Sequence, residues 1–126
     1  GFTPQSVDNL GGFKVQGRDA GAKALRADTK AVVDAGADMV VFEMVPAQLA
    51  AELTEQCPVP TIGIGAGAGT DAQVLVWHDM VDLPAGNRRP KFVRQFGQVG
   101  AELGQAAAAY KQAVHEGSFP AAEHSF

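Results

Sequence analysis

The chain has 126 residues and a mass of 13.1 kDa, enough for one domain at most. Apolar residues make up 46 % and charged residues 19 %, and a net charge of −4 excludes a general attraction for nucleic acid or anionic membranes. The one cysteine, Cys57, excludes an internal disulfide and a thiolate metal site and fits a reduced, cytoplasmic setting; no apolar run reaches the ~18–20 residues of a membrane span.

In chain order, Gly1-Phe2-Thr3-Pro4 has no initiator Met and no basic region followed by an apolar stretch. The chain is therefore expected to start inside a longer polypeptide, not with a secretory signal. Residues 1–18 read as irregular and Gly-rich, and the loop Asp8 to Arg18 reads as a mobile lid or as a plain surface loop. In the lid reading, Lys14 and Arg18 face an anionic ligand. A helix is predicted at about 19–35, stopped by Gly36. Asp38 to Val45 is short, nearly all apolar and β-branched in the middle, as a doubly buried parallel strand should be. Pro46 opens a second helix at about 46–56, in the first helical position that Pro tolerates, and Pro58 and Pro60 stop it.

Thr61-Ile62-Gly63-Ile64 reads as the next strand, running into the turn Gly65-Ala66-Gly67-Ala68-Gly69. Val74 to Asp79 is a third apolar run, read as strand in preference to helix. The connector from Gly67 to Gln73 is shorter than a usual crossover. The basic cluster Arg88, Arg89, Lys91 and Arg94 reads as a solvated helix start. A long helix is predicted at about 90–116, with Phe92, Phe96, Val99, Leu103, Ala106, Tyr110 and Ala113 spaced 4, 3, 4, 3, 4, 3. That stripe suits packing on its own domain in preference to a coiled-coil seam. The tail from Phe119 to Phe126 is loop-like. Alternating strands and helices argue for an α/β fold with a parallel sheet. A closed barrel of eight units needs ~250 residues, so this chain holds about half a barrel, with strand edges and a sheet face uncovered.

Glu43 lies in the second half of an apolar strand. Partial desolvation there raises a carboxyl pKa and suits a general base; a strand-end Glu paired with a nearby Arg or Lys is the plain alternative. Gly63-x-Gly65-x-x-Ala68 matches the loose dinucleotide fingerprint, which requires a helix from about 68 to 79. The same glycines, Gly65 and Gly67 among them, also suit a wide turn where substrate or cofactor approaches the backbone, or a turn with no ligand. His78 and Asp79 end the third apolar run, as a strand-end pair or as a core His bonded to that Asp. His115 and His124 have no ligand spacing, and no metal site is read from this chain.

Six segments carry a resemblance that no single motif does. They are Gly1 to Val7, Gly12-Phe13-Lys14-Val15-Gln16-Gly17-Arg18, Phe42-Glu43-Met44-Val45-Pro46, Pro60 to Gly67, Val74 to Asp79, and Phe119 to Phe126. Together and in order they resemble the C-terminal half of the ketopantoate hydroxymethyltransferases. The resemblance implies a (β/α)₈ TIM barrel of the phosphoenolpyruvate/isocitrate lyase type, of which residues 1–126 are one partial domain. It implies transfer of a one-carbon unit from 5,10-methylenetetrahydrofolate to C3 of 3-methyl-2-oxobutanoate, giving 2-dehydropantoate for pantothenate synthesis. It implies Mg²⁺, held by carboxylates from strands outside this chain and holding the oxo acid through its keto and carboxylate oxygens. It assigns Glu43 the removal of the C3 proton, and it implies a homo-oligomer, a decamer of pentameric rings. The pattern carries a Gly where Ala72 stands, one more residue after Arg18, and a His directly before Gly1. A non-catalytic half-barrel, acting as a folding or interaction piece, is the competing reading. An upstream sequence bearing two Asp, a Lys and a Glu at barrel-strand ends would decide for the enzyme.

Overall fold

The computed structural model describes residues 1–83 and 89–126, so Arg88 of the basic cluster lies outside the described residues. The sequence reads as one partial domain; in the structure its contacts divide it into two compact units, Gly1–Leu75 and Val76–Phe126.

In the first unit, helix α1 (Gly21–Asp34) precedes strand β1 (Val40–Glu43), helix α2 (Ala47–Gln56), strand β2 (Thr61–Ile64) and the two-residue strand β3 (Ala72–Gln73). α1 ends where the sequence expects. Ala35 is its cap, and Gly36 follows at φ 93°. The Gly36 N–H then bonds the Val33 carbonyl and the Ala37 N–H the Val32 carbonyl, the pairing of a Schellman stop. Pro46 sits one position earlier than predicted, as the cap of α2 and not its first residue.

The sheet is parallel, in the order β1-β2-β3. Val40 to Glu43 register with Thr61 to Ile64, and Ile62 and Gly63 with Ala72 and Gln73. Alternation gives each strand two faces. Phe42 is 1 % exposed and packs with Leu25, Leu49 and Leu53 from the helix layer and with Val45. Its neighbour Val41 is 51 % exposed. Val41, Glu43, Ile62 and Ile64 therefore line the face that the helices leave bare within this unit.

β2 reaches β3 through Gly65–Asp71, seven residues with no helix. That is short for a parallel crossover, and its glycines are the reason it closes. A Cβ at Gly67 would collide with the Ala47 side chain, and one at Gly69 would stand 2.6 Å from the Ala51 Cβ. The turn thus lies directly against the small residues of α2 and takes the place of a crossover helix. No helix spans 68–79, which overturns the dinucleotide-fingerprint reading.

At the start of β2, one carboxylate ties the crossover back to the strand. Asp71 accepts the Thr61 backbone N–H at 2.8 Å and the Thr61 hydroxyl at 3.0 Å; Thr61 is fully buried and its hydroxyl also meets that of Thr54 on α2 at 2.8 Å. The Thr61 N–H and then its hydroxyl hold the Asp71 carboxyl below the usual carboxylate range. A lowered folded-state pKa stabilises fully above the unfolded value of about 4 and is lost as pH falls through the folded value. Asp71→Asn is therefore expected to lower the urea midpoint at pH 7, with the gap to the parent closing below about pH 4. A gap of constant size across that range would show that charge is not what Asp71 contributes.

The second unit corrects two expectations. The run Val74 to Asp79 is not a strand. The Val74 N–H makes one last bond to the Gly63 carbonyl, β2 ends at Ile64, and no residue of β2 remains for the chain after Val74 to pair with. Trp77–Met80 instead form a short helix, α3. The long helix α4 runs Val99–Glu116, not 90–116. The Phe96 N–H bonds the Met80 carbonyl and the Val99 N–H the Val81 carbonyl, so this stretch lies along the end of α3. Arg89, Lys91 and Arg94 thus precede the helix; Arg89 pairs with Asp82 at 3.1 Å and the Arg94 guanidinium lies over the Phe96 ring.

The predicted stripe on α4 does not meet a core. No described residue of α4 is buried, and Leu103 and Tyr110 are both more than half exposed. Tyr110 meets Phe119 edge-on, and residues Ala122–His124 form a 3₁₀ turn within the tail expected to be loop. Among the described residues, no helix is long and apolar enough to cross a membrane.

Candidate functional site

The carboxyl ends of parallel strands are where α/β folds place their chemistry. In the first unit those ends bring together Glu43 on β1, Ile64 on β2, Gly65 just after it, and the chain segments around Phe2 and Gln16. Glu43 stands on the bare face of the sheet, half-buried. Among the described residues its side chain has no ion-pair or hydrogen-bonding partner. Burial pushes its carboxyl above the usual range.

The backbone beneath this carboxylate is held from three directions. The Glu43 carbonyl accepts the Phe2 N–H at 2.7 Å. The Met44 N–H donates to the Ile64 carbonyl at 2.9 Å, and the Met44 carbonyl accepts the Gln16 N–H at 2.9 Å. The strand-end position of Glu43 is legible in the sequence; Phe2, Gln16 and Met44 are not singled out there. One signal for Met44 exists. Val45 is β-branched and precedes Pro46, which restricts it to extended backbone, so the turn out of β1 must fall on Met44.

The other predicted residues sit as follows. Lys14 is exposed and reaches back over Gly11, where a Cβ would come within 2.9 Å of its Nζ. Arg18 is exposed and lines an open groove of about 360 Å³ with Asp19, Gln48, Leu49 and Glu52, at the start of α2. Gly65, at φ 62°, makes the turn out of β2 beside Glu43, while Gly67 is taken up by its contact with Ala47. His78 is not at a strand end. It lies exposed on α3 in the second unit, its ring 3.9 Å from that of Trp77. Within the 8–18 loop, Gly12 has open space around it, but Gly17 does not: a Cβ there would stand 2.8 Å from Leu25 and 2.9 Å from Leu49.

The chain matches the family model of the ketopantoate hydroxymethyltransferases over residues 1–122. It belongs to that family. Among similar proteins, the 3-methyl-2-oxobutanoate hydroxymethyltransferase of Corynebacterium jeikeium (strain K411) is 64 % identical over all 126 residues, which are 44 % of its own length. Those of Corynebacterium diphtheriae and Rhodococcus jostii (strain RHA1) are 60 % and 58 % identical over the same span, covering 47 % and 43 % of their lengths. The chain thus spans about half the length of the curated relatives it matches. Among the described residues, no group of three His, Cys, Asp or Glu side chains could hold a metal ion. The described residues do not by themselves fit a divalent cation.

Proposed function

We propose that this chain is the C-terminal half of a hydroxymethyltransferase that uses 5,10-methylenetetrahydrofolate and 3-methyl-2-oxobutanoate to make 2-dehydropantoate. The observation that carries this reading is Glu43: a partly desolvated carboxylate, without a partner among the described residues, at the carboxyl end of a parallel strand, in a segment that belongs to this family. Its carboxylate takes the proton from C3 of the oxo acid, leaving an enolate whose C3 attacks the methylene carbon; water supplies the oxygen of the new hydroxymethyl group and tetrahydrofolate leaves. The bare apolar face of the sheet supports a barrel fold. Val41, Ile62 and Ile64 would line the interior of a (β/α)₈ barrel closed by strands outside this segment.

Mg²⁺ belongs to the same reading, held by carboxylates outside this segment; when bound it stabilises developing negative charge on the oxo acid. So do a homo-oligomer, a cytoplasmic setting, and a lid over 8–18 whose Lys14 and Arg18 meet the anionic groups of the substrates. The test is direct. The full-length protein that carries this segment, given both substrates, is expected to form 2-dehydropantoate, followed by NMR. Absence of that product from a folded full-length protein would favour the non-catalytic half-barrel.

A further inference from the structure

Strand alternation would put Val45 on the same face as Glu43. Instead Val45 is 2 % exposed and packs with Phe42 and Leu49 in the core. The reversal is made at Met44 alone, whose φ is 51°. Few residues other than Gly, Asn and Asp adopt that left-handed backbone, and it persists only where the surroundings hold it. They do so here: Ile64 and Gln16 take both backbone groups of Met44, and Phe2 takes the carbonyl of Glu43. Phe2 is itself 3 % exposed and stacked on Phe13, at 5.2 Å between ring centres. The backbone is held at three points while the carboxylate above it has no partner among the described residues. A group that must meet a proton at one point in space needs that arrangement.

We propose that Met44 is a positioning residue for Glu43: its left-handed backbone, pinned between Ile64 and Gln16, sets the direction in which the Glu43 carboxylate leaves the sheet. The proposal rests on the reading of Glu43 as the base. It also gives the 8–18 loop a role, since its Gln16 N–H is one of the two pins.

The experiment uses the full-length protein and follows exchange of the C3 proton of 3-methyl-2-oxobutanoate in D₂O, across pH, beside the affinity for the oxo acid. Met44→Gly and Met44→Asn accept a positive φ and are expected to exchange within about threefold of the parent. Met44→Val disfavours it, and its exchange is expected to fall about 10- to 100-fold with oxo-acid affinity little changed. The midpoint of its pH profile is expected to move down towards the ordinary carboxylate range, as the carboxylate turns towards water. A merely structural role would not move that midpoint. If Met44→Val does not fold, Gln16→Pro reads the same point, because it removes the N–H that pins the Met44 carbonyl. The proposal is overturned if Gly and Asn lose as much as Val, which would make the side chain the cause, or if neither Val nor Pro changes rate and midpoint. Glu43→Gln is measured first: exchange at the parental rate there removes the base itself, a failure distinct from either of these.

Discussion

Replacing Glu43 by Gln is expected to slow C3 proton exchange by about 10²–10⁴, the usual span for losing a general base. Gln keeps the length of the side chain and its reach for hydrogen bonds but cannot accept the proton. Because Glu43 has no ion-pair partner among the described residues, the change leaves no orphaned charge behind, and folding and oxo-acid binding should alter little. The exchange assay needs no folate, so it isolates enolisation from one-carbon transfer. It also has a pH signature. The rate depends on the ionised carboxylate, so in the parent it should rise with pH through a midpoint above the ordinary Glu value of about 4.3, as burial dictates. In the Gln variant that rise should vanish. Exchange at the parental rate and with the parental profile would mean that Glu43 is not the base.

Much of the fold of the first unit is legible from residue pattern alone. Helix α1 is announced by its good helix formers and its glycine stop, and β2 by a four-residue apolar run between Pro60 and a glycine turn. These are cases where local preference and tertiary packing agree. The third apolar run misleads because its residues suit a strand, while β2, which the Val74 N–H still bonds, ends at Ile64. Length of the partner strand, not local propensity, decides there, and a sequence pattern does not carry it. The early part of the predicted long helix fails for a related reason. Phe92 and Phe96 keep the helical spacing, but the Phe96 N–H is engaged by the Met80 carbonyl, and Val99 is the first helical residue.

The site divides in the same way. Glu43 stands out as a carboxylate in the second half of an apolar strand. Its supports do not, because they act through backbone groups: any side chain can sit at Phe2, Gln16 or Met44 and still offer an N–H or a carbonyl. His78 stands out because its run has the composition of a strand, and the structure puts it on a short helix instead. The glycine turn was visible, but its cause was not. What Gly67 and Gly69 accommodate is the surface of α2, twenty residues or so earlier in the chain, and not a nucleotide.

The two neighbours Phe42 and Val41 give the strongest test of what lies beyond this segment. Phe42 is 1 % exposed and packs into the helix layer in the segment as it stands. Truncation to Ala removes a ring from a filled core, which costs about 3–5 kcal/mol, a large share of the stability of a small domain. That loss is expected both in the 126-residue chain and in the full-length protein. Val41 is different. At 51 % exposed it stands on the bare face, so Val41→Ala in the 126-residue chain should be nearly neutral. In a closed barrel the same side chain is interior, and its removal should cost about 1.5–3 kcal/mol, the value of burying a Val. Denaturant unfolding of both variants in both lengths reads the difference. A Val41→Ala change that is neutral in the full-length protein would leave this face exposed there too, and the barrel reading would fail with it. A change that is already costly in the 126-residue chain would mean that the face is covered by something within it, such as a second copy. Concentration dependence of the unfolding midpoint separates that case, because only association makes the midpoint rise with concentration.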